Sequence, residues 1–180
     1  MKADTIRKAL FIVPQIGFND VELLTIRKKL ERHAIKCSVA SFALGTVISK
    51  TGKTIQADVV ITQVKAEDYG CFIFVGGKNV ASLAEYPQII EVVKNAYQQQ
   101  KILALLCINS VLLLPKANLI KNKKITVYKM KNKWSETAAN EYGAVLVDEP
   151  IVIDGNIITC RDEEDAKLLA DTLIEIFLKK

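Results

Sequence analysis

Ala9-Leu10-Phe11-Ile12-Val13 is an unbroken apolar run, closed by Pro14 and Gly17 and followed by the polar pair Asn19-Asp20. An apolar run of this length with no polar alternation reads as a strand covered on both faces. Beyond it, Leu23, Ile26, Leu30 and Ala34 recur at intervals of three and four, with Arg27, Lys28, Glu31 and Arg32 on the other faces. That spacing predicts an amphipathic helix, capped by Asn19 or Asp20. Cys37 to Phe42 then reads as a second strand, so the chain opens with one right-handed strand–helix–strand crossover.

The same grammar returns in Cys71 to Val75 (strand), Tyr86 to Gln99 (helix) and Ile102 to Leu106 (strand), with Gly76-Gly77 at the first junction. Short alternating segments at Thr46 to Ile48, Thr54 to Ile55 and Val59 to Ile61 are expected to pair at a sheet edge. Ile125 to Val127 reads as a further strand, Asp154-Gly155 as the tight turn of a hairpin over Val152 to Thr159, and Asp162 to Leu178 as a closing helix. The expected architecture is an α/β three-layer sandwich with a mostly parallel sheet and a small antiparallel hairpin.

Composition fits that reading. The chain has 180 residues, half of them hydrophobic and a quarter charged, with four prolines, as a packed soluble protein requires; one domain over residues 1–180 is expected. The longest apolar stretch, Ile102 to Leu114, is broken by Asn109-Ser110 and is too short to span a bilayer. Lys2, Arg7 and Lys8 precede too brief an apolar run for an export signal, so a cytoplasmic location is expected. Cys37, Cys71, Cys107 and Cys160 are far apart and have no neighbouring histidine, which predicts reduced thiols and neither a metal site nor a disulfide framework. The net charge of +5 decides nothing by itself. Seven lysines between Lys116 and Lys133 lack a nucleic-acid signature and read as a solvated face.

In open parallel sheets, ligands bind beyond the carboxyl ends of the strands. Three features belong there: Cys107, where one strand meets a helix beginning near Ile108; Glu22, in the first turn of the first helix; and Gly76-Gly77. Backbone N–H groups and the helix dipole at such an elbow are expected to favour thiolate over thiol, with a protonated Glu22 donating to it. The N–H groups of Gly77 and Ile108 can form an oxyanion hole for a carbonyl attacked by sulfur. His33, the only histidine, falls at the opposite sheet edge and cannot serve Cys107 within one chain. Cys37, Cys71 and Cys160 lie within or at the ends of strands and read as packing residues.

These residues resemble the ThiJ/PfpI superfamily over nearly the whole chain. The resemblance rests on Ala9 to Val13 followed by Gly17-Phe18-Asn19-Asp20-Val21-Glu22-Leu23, on Phe74-Val75-Gly76-Gly77, on Ala104-Leu105-Leu106-Cys107, and on Val152 to Arg161. It implies a flavodoxin-like fold, a reactive Cys107 with Glu22 as acidic partner, Gly77 as backbone donor, Tyr128 beside the pocket, no cofactor or metal, and a homodimer. Protease-like members follow the cysteine with histidine and glycine; Ile108-Asn109-Ser110 stands here, which argues against peptidase activity. Lys78-Asn79-Val80 likewise lacks the acidic residue that such members place after the paired glycines. Asn19 stands where many relatives carry an acid.

The leading expectation is cofactor-independent glyoxalase- or deglycase-type chemistry on a small carbonyl compound. The alternative is an oxidative-stress sensor or chaperone-like protein in which an oxidant converts Cys107 to sulfinate without turnover. Neither nucleic acid nor membrane is an expected partner.

Overall fold

The computed structural model describes residues 7–179. The stretch read for an export signal begins at Lys2 and so lies partly outside the described residues. In chain order the elements are β1 (Lys8–Ile12), β2 (Ile16–Phe18), α1 (Asp20–Arg32), β3 (Lys36–Ser41), β4 (Gly45–Ser49), β5 (Thr54–Ala57), β6 (Val59–Val60) and β7 (Cys71–Phe74). There follow α2 (Ala81–Ala84), α3 (Pro87–Gln98), β8 (Ile102–Leu106), α4 (Asn109–Lys116), β9 (Lys124–Ile125), α5 (Trp134–Glu141) and β10 (Val145–Leu146). The chain closes with β11 (Ile151–Asp154), β12 (Ile157–Cys160) and α6 (Ala166–Lys179).

A seven-stranded sheet runs β11-β12-β8-β7-β1-β3-β6, parallel throughout except for β11. Taken in sequence, β3-β1-β7-β8-β12 is the order 2-1-3-4-5 of a flavodoxin-like fold. Alternate residues of β1 explain the layers. Leu10 and Ile12 face α3, α4 and α5, joining Phe72, Leu103, Ile89 and Val111. Ala9 and Phe11 face α1 and α6, joining Ile73, Leu23, Ile26 and Leu173. All four β1 residues are fully buried, which is why the run needed no polar alternation. Phe11→Ala would remove about 3–5 kcal/mol from such a core. Among the described residues, no helix is long and apolar enough to cross a membrane.

Several boundaries differ from the sequence reading. α1 ends at Arg32, and Ala34 lies past the cap with φ +59°, outside the apolar stripe. Of the short segments after Gly45, only β6 extends the main sheet. β4 and β5 form a second, three-stranded sheet with β2, because Pro14 ends β1 and Gly17, at φ +91°, turns the chain away from it. The β11–β12 turn is Gly155-Asn156, one residue later than read, since Asp154 still pairs with Ile157. The expected strand at Ile125 to Val127 is the shorter β9, paired in parallel with β10. A 3-10 turn over Glu163–Asp165, capped by the Asp162 side chain, precedes α6.

Candidate active site

In this strand order successive strands are added on one side of β1 and then, from β7, on the other, and the loops leaving the carboxyl ends of these two parallel strands separate to leave a crevice. From β1 the chain reaches Asn19, whose Oδ1 caps α1 by accepting the N–H groups of Val21 at 3.1 Å and Glu22 at 3.4 Å. The cap places Glu22 on the first turn, facing inward and only 1% exposed. Its Oε2 accepts the Gly76 N–H at 2.6 Å and its Oε1 accepts from Asn19 Nδ2 at 3.1 Å. Both paired glycines are required by close approach. A Cβ on Gly76 would lie 2.8 Å from Glu22 Oε1 and 2.9 Å from the Cys107 Cβ, and one on Gly77 only 2.3 Å from Gly17 O. The acid and the cysteine therefore converge on the space that Gly76 leaves empty.

Cys107 sits one residue past β8 in the left-handed region, φ +62°, a conformation that costs a non-glycine residue on the order of 1 kcal/mol. Neighbouring elements hold it there: its N–H donates to Cys160 O at 2.9 Å, and its carbonyl accepts the Tyr128 N–H at 3.4 Å. Next in sequence, Ile108 takes φ −92°, ψ 0° and leads into α4. Asn109, fully buried, donates to both Phe74 O and Val75 O at 3.0 Å. It thereby ties the elbow to the strand end that carries the glycines. Gly77 faces Phe18 in an antiparallel bridge whose hydrogen bonds are made by Asn19 N–H to Gly76 O and Lys78 N–H to Gly17 O. The Gly77 N–H is thus turned away from Phe18.

A cavity of about 500 Å³ opens over this point, lined by Asn19, Glu22, Gly77, Cys107, Tyr128 and the Asp162–Glu164 turn, with Lys50 and Lys78 at its rim. Tyr128 is 44% exposed. A wider depression on α1, between Leu24, Arg27, Glu31 and Ile55, contains no thiol. His33 caps the far end of α1, its Nδ1 2.9 Å from Lys29 O. Among the described residues, no cluster of histidine, cysteine or acidic side chains is arranged to hold a metal.

Burial raises the Glu22 carboxyl to about 7, against the opposing pull of the Gly76 N–H. The thiol does not behave as the sequence reading expects. Burial first, and the Glu22 charge second, push Cys107 up to about 12, and the Ile108 N–H offsets only part of this. An elbow amide and a helix terminus are outweighed when the sulfur leaves water beside a carboxylate. At neutral pH the resting pair is therefore a protonated thiol beside a carboxyl group near its midpoint, which makes Glu22 an acceptor for the thiol proton. Sequence reasoning missed Lys50, Lys78 and the Asp162–Glu164 turn. The acidic run directly after β12 was a usable signal, whereas nothing marked Lys50.

The fold and site together define a flavodoxin-like α/β protein with a cysteine elbow at its switch point. The profile of the DJ-1/PfpI family matches residues 7–176, and the chain belongs to that family. An uncharacterized protein of Methanocaldococcus jannaschii is 30% identical over 162 residues, spanning 89% of this chain and 78% of the relative. A deglycase of Pyrococcus horikoshii is 25% identical over 158 residues, 88% of this chain and 92% of its own. A glutathione-independent glyoxalase of Caenorhabditis elegans is 25% identical over 170 residues, 94% and 88% respectively. The crystal structure of a ThiJ/PfpI domain protein from Brachyspira murdochii superposes with a TM-score of 0.90 at 22% identity, covering 98% of this chain and 99% of that one, which shows a shared fold.

Proposed function

We propose that the protein is a cysteine-dependent, cofactor-independent glyoxalase acting on small α-oxoaldehydes, in keeping with the deglycase and glyoxalase names of two relatives. The observation that carries this reading is the convergence of Glu22 Oε1 and the Cys107 Cβ on the space above Gly76. Glu22 takes the thiol proton as sulfur adds to the aldehyde carbon. The carbonyl electron pair moves onto oxygen, where the N–H groups of Gly77 and Ile108 stabilise it, and the proton returns from Glu22 to give a hemithioacetal. Glu22 next removes the hydrogen from the sulfur-bearing carbon and delivers it to the neighbouring carbonyl carbon through an enediol. One carbon is oxidised and its neighbour reduced, leaving a thioester of a 2-hydroxy acid. Water hydrolyses the thioester, releasing the acid and restoring the thiol, so no external oxidant or reductant is consumed.

This reading places the protein in a reducing cytoplasm, where a reduced Cys107 persists, and as the homodimer implied by the resemblance. The test is reduced, folded protein incubated with methylglyoxal and no glutathione: lactate should accumulate as the dicarbonyl disappears. Unconsumed methylglyoxal contradicts the reading.

A further inference from the structure

The Asn19 side chain has one orientation open to it. Because its Oδ1 faces the N–H groups of Val21 and Glu22, its NH2 group must face the other way. There it donates to Glu22 Oε1 at 3.1 Å and to Glu163 Oε2 at 2.7 Å. The same Glu163 oxygen receives an ion pair from Lys50, which follows β4. Side chains from three separate segments thus form one connected chain, Lys50 to Glu163 to Asn19 to Glu22, ending on the carboxyl group beside Cys107. Asn19 is buried, whereas Glu163 stands in the exposed turn before α6.

We propose that Glu163 is a positioning residue for the Cys107–Glu22 pair: it holds Asn19 against Glu22 and, with Lys50 as counter-charge, sets the pH at which Glu22 releases its proton. This rests on reading Glu22 as the group that exchanges a proton with the thiol. Asn19 is neutral and can only relay position, so the charge at the outer end of this chain of contacts comes from Glu163 and Lys50. The remaining titratable groups around Glu22 are Asp20 on α1, which is paired with Lys53 at 2.9 Å, Lys78 after the glycine pair, Cys107 after β8, Tyr128 after β9, Cys160 on β12, and Asp162 and Glu164 in the following turn. After burial and the Gly76 N–H, the Lys50 and Glu163 charges are the next influences on Glu22, and they act in opposite senses, Lys50 favouring the carboxylate and Glu163 the acid.

The test is a pH titration of the Glu22 carboxyl carbon by NMR in the full chain labelled with 13C-carboxyl glutamate, assigned by loss of its signal in Glu22→Gln. Glu163→Gln keeps an acceptor for Asn19 and frees the Lys50 charge, so the Glu22 midpoint should fall by about half a pH unit. Lys50→Met leaves Glu163 unbalanced, so the midpoint should rise by about as much. The double variant should return close to wild type. A merely structural role would lower the melting temperature of either variant and leave the midpoints together. Unmoved midpoints, or shifts of the same sign, overturn the proposal. The readout needs no turnover: opposed midpoints in a protein that ignores methylglyoxal would sink the glyoxalase reading alone, whereas turnover without opposed midpoints would sink this one alone.

Discussion

Cys160 ends β12 and Cys107 follows the last residue of the neighbouring parallel β8; a backbone hydrogen bond of 2.9 Å joins them, yet their surroundings diverge. Cys160 is still part of β12, fully buried in the layer beneath α1 and α6, with its Sγ 3.5 Å from Asp162 O. Cys107 has already left β8, turns left-handed and lines the cavity. Burial first and the Glu22 charge second raise both thiols, Cys160 further than Cys107. Neither sulfur is intrinsically acidic. What separates them is the backbone turn that opens one to the cavity and the absent Gly76 side chain that brings it to an acid able to take its proton.

The comparison can be broken most severely at the sulfur itself. Cys107→Ser should lower methylglyoxal turnover by about a thousandfold or more, since hydroxyl is a far poorer nucleophile at neutral pH; turnover is read as lactate formed. Replacing the acceptor comes next: Glu22→Gln should cost about a hundredfold, the scale of a general acid–base group. The same variant has a stability signature. A carboxyl raised from 4.5 to about 7 on folding holds its proton longer in the folded state, so the contribution of Glu22 to stability is full below about pH 4.5, declines as pH rises and is gone above about pH 7. The loss is on the order of 3 kcal/mol. In urea melts at pH 4.5 and 8, wild type should lose about that much stability relative to Glu22→Gln between the two pH values.

A smaller effect sharpens the role of the missing side chain. Gly76→Ala should destabilise the fold by roughly 1–3 kcal/mol, because the added methyl overlaps both Glu22 and Cys107, and should reduce turnover beyond what denaturant melts account for. The smallest effect belongs to the sibling thiol. Cys160→Ser should leave turnover within about twofold of wild type, with at most a modest stability loss from a hydroxyl in the apolar layer.

Much of this arrangement was legible in the amino-acid pattern because strand ends and helix starts leave strong local marks. The buried run at Ala9 to Val13, the glycine pair and the Cys107 elbow needed no tertiary knowledge beyond the rule that ligands gather at strand carboxyl ends. The second sheet was not legible, since β2 is a three-residue strand whose identity depends on pairing with β4 across intervening α1 and β3. The left-handed turn at Cys107 was hidden for a related reason: a cysteine has no preference for it, and Cys160, Tyr128 and the loops around Gly76 impose it from outside. Thiol acidity was misjudged because desolvation depends on everything above the elbow, none of which is local to Cys107. Lys50 and Glu163 act through a pairing 113 residues apart in sequence, for which periodicity offers no signal.

The most direct test of the central claim, that Cys107 and Glu22 share a proton, is the pH dependence of iodoacetamide alkylation at Cys107 in wild type and Glu22→Gln, followed by mass spectrometry of the peptide. Because only the singly protonated pair can place the remaining proton on the carboxyl group and leave a thiolate, the wild-type rate should rise through a midpoint near pH 7 and then hold level. Glu22→Gln should lose that midpoint and rise only at alkaline pH. Identical single alkaline rises in both proteins would contradict the account.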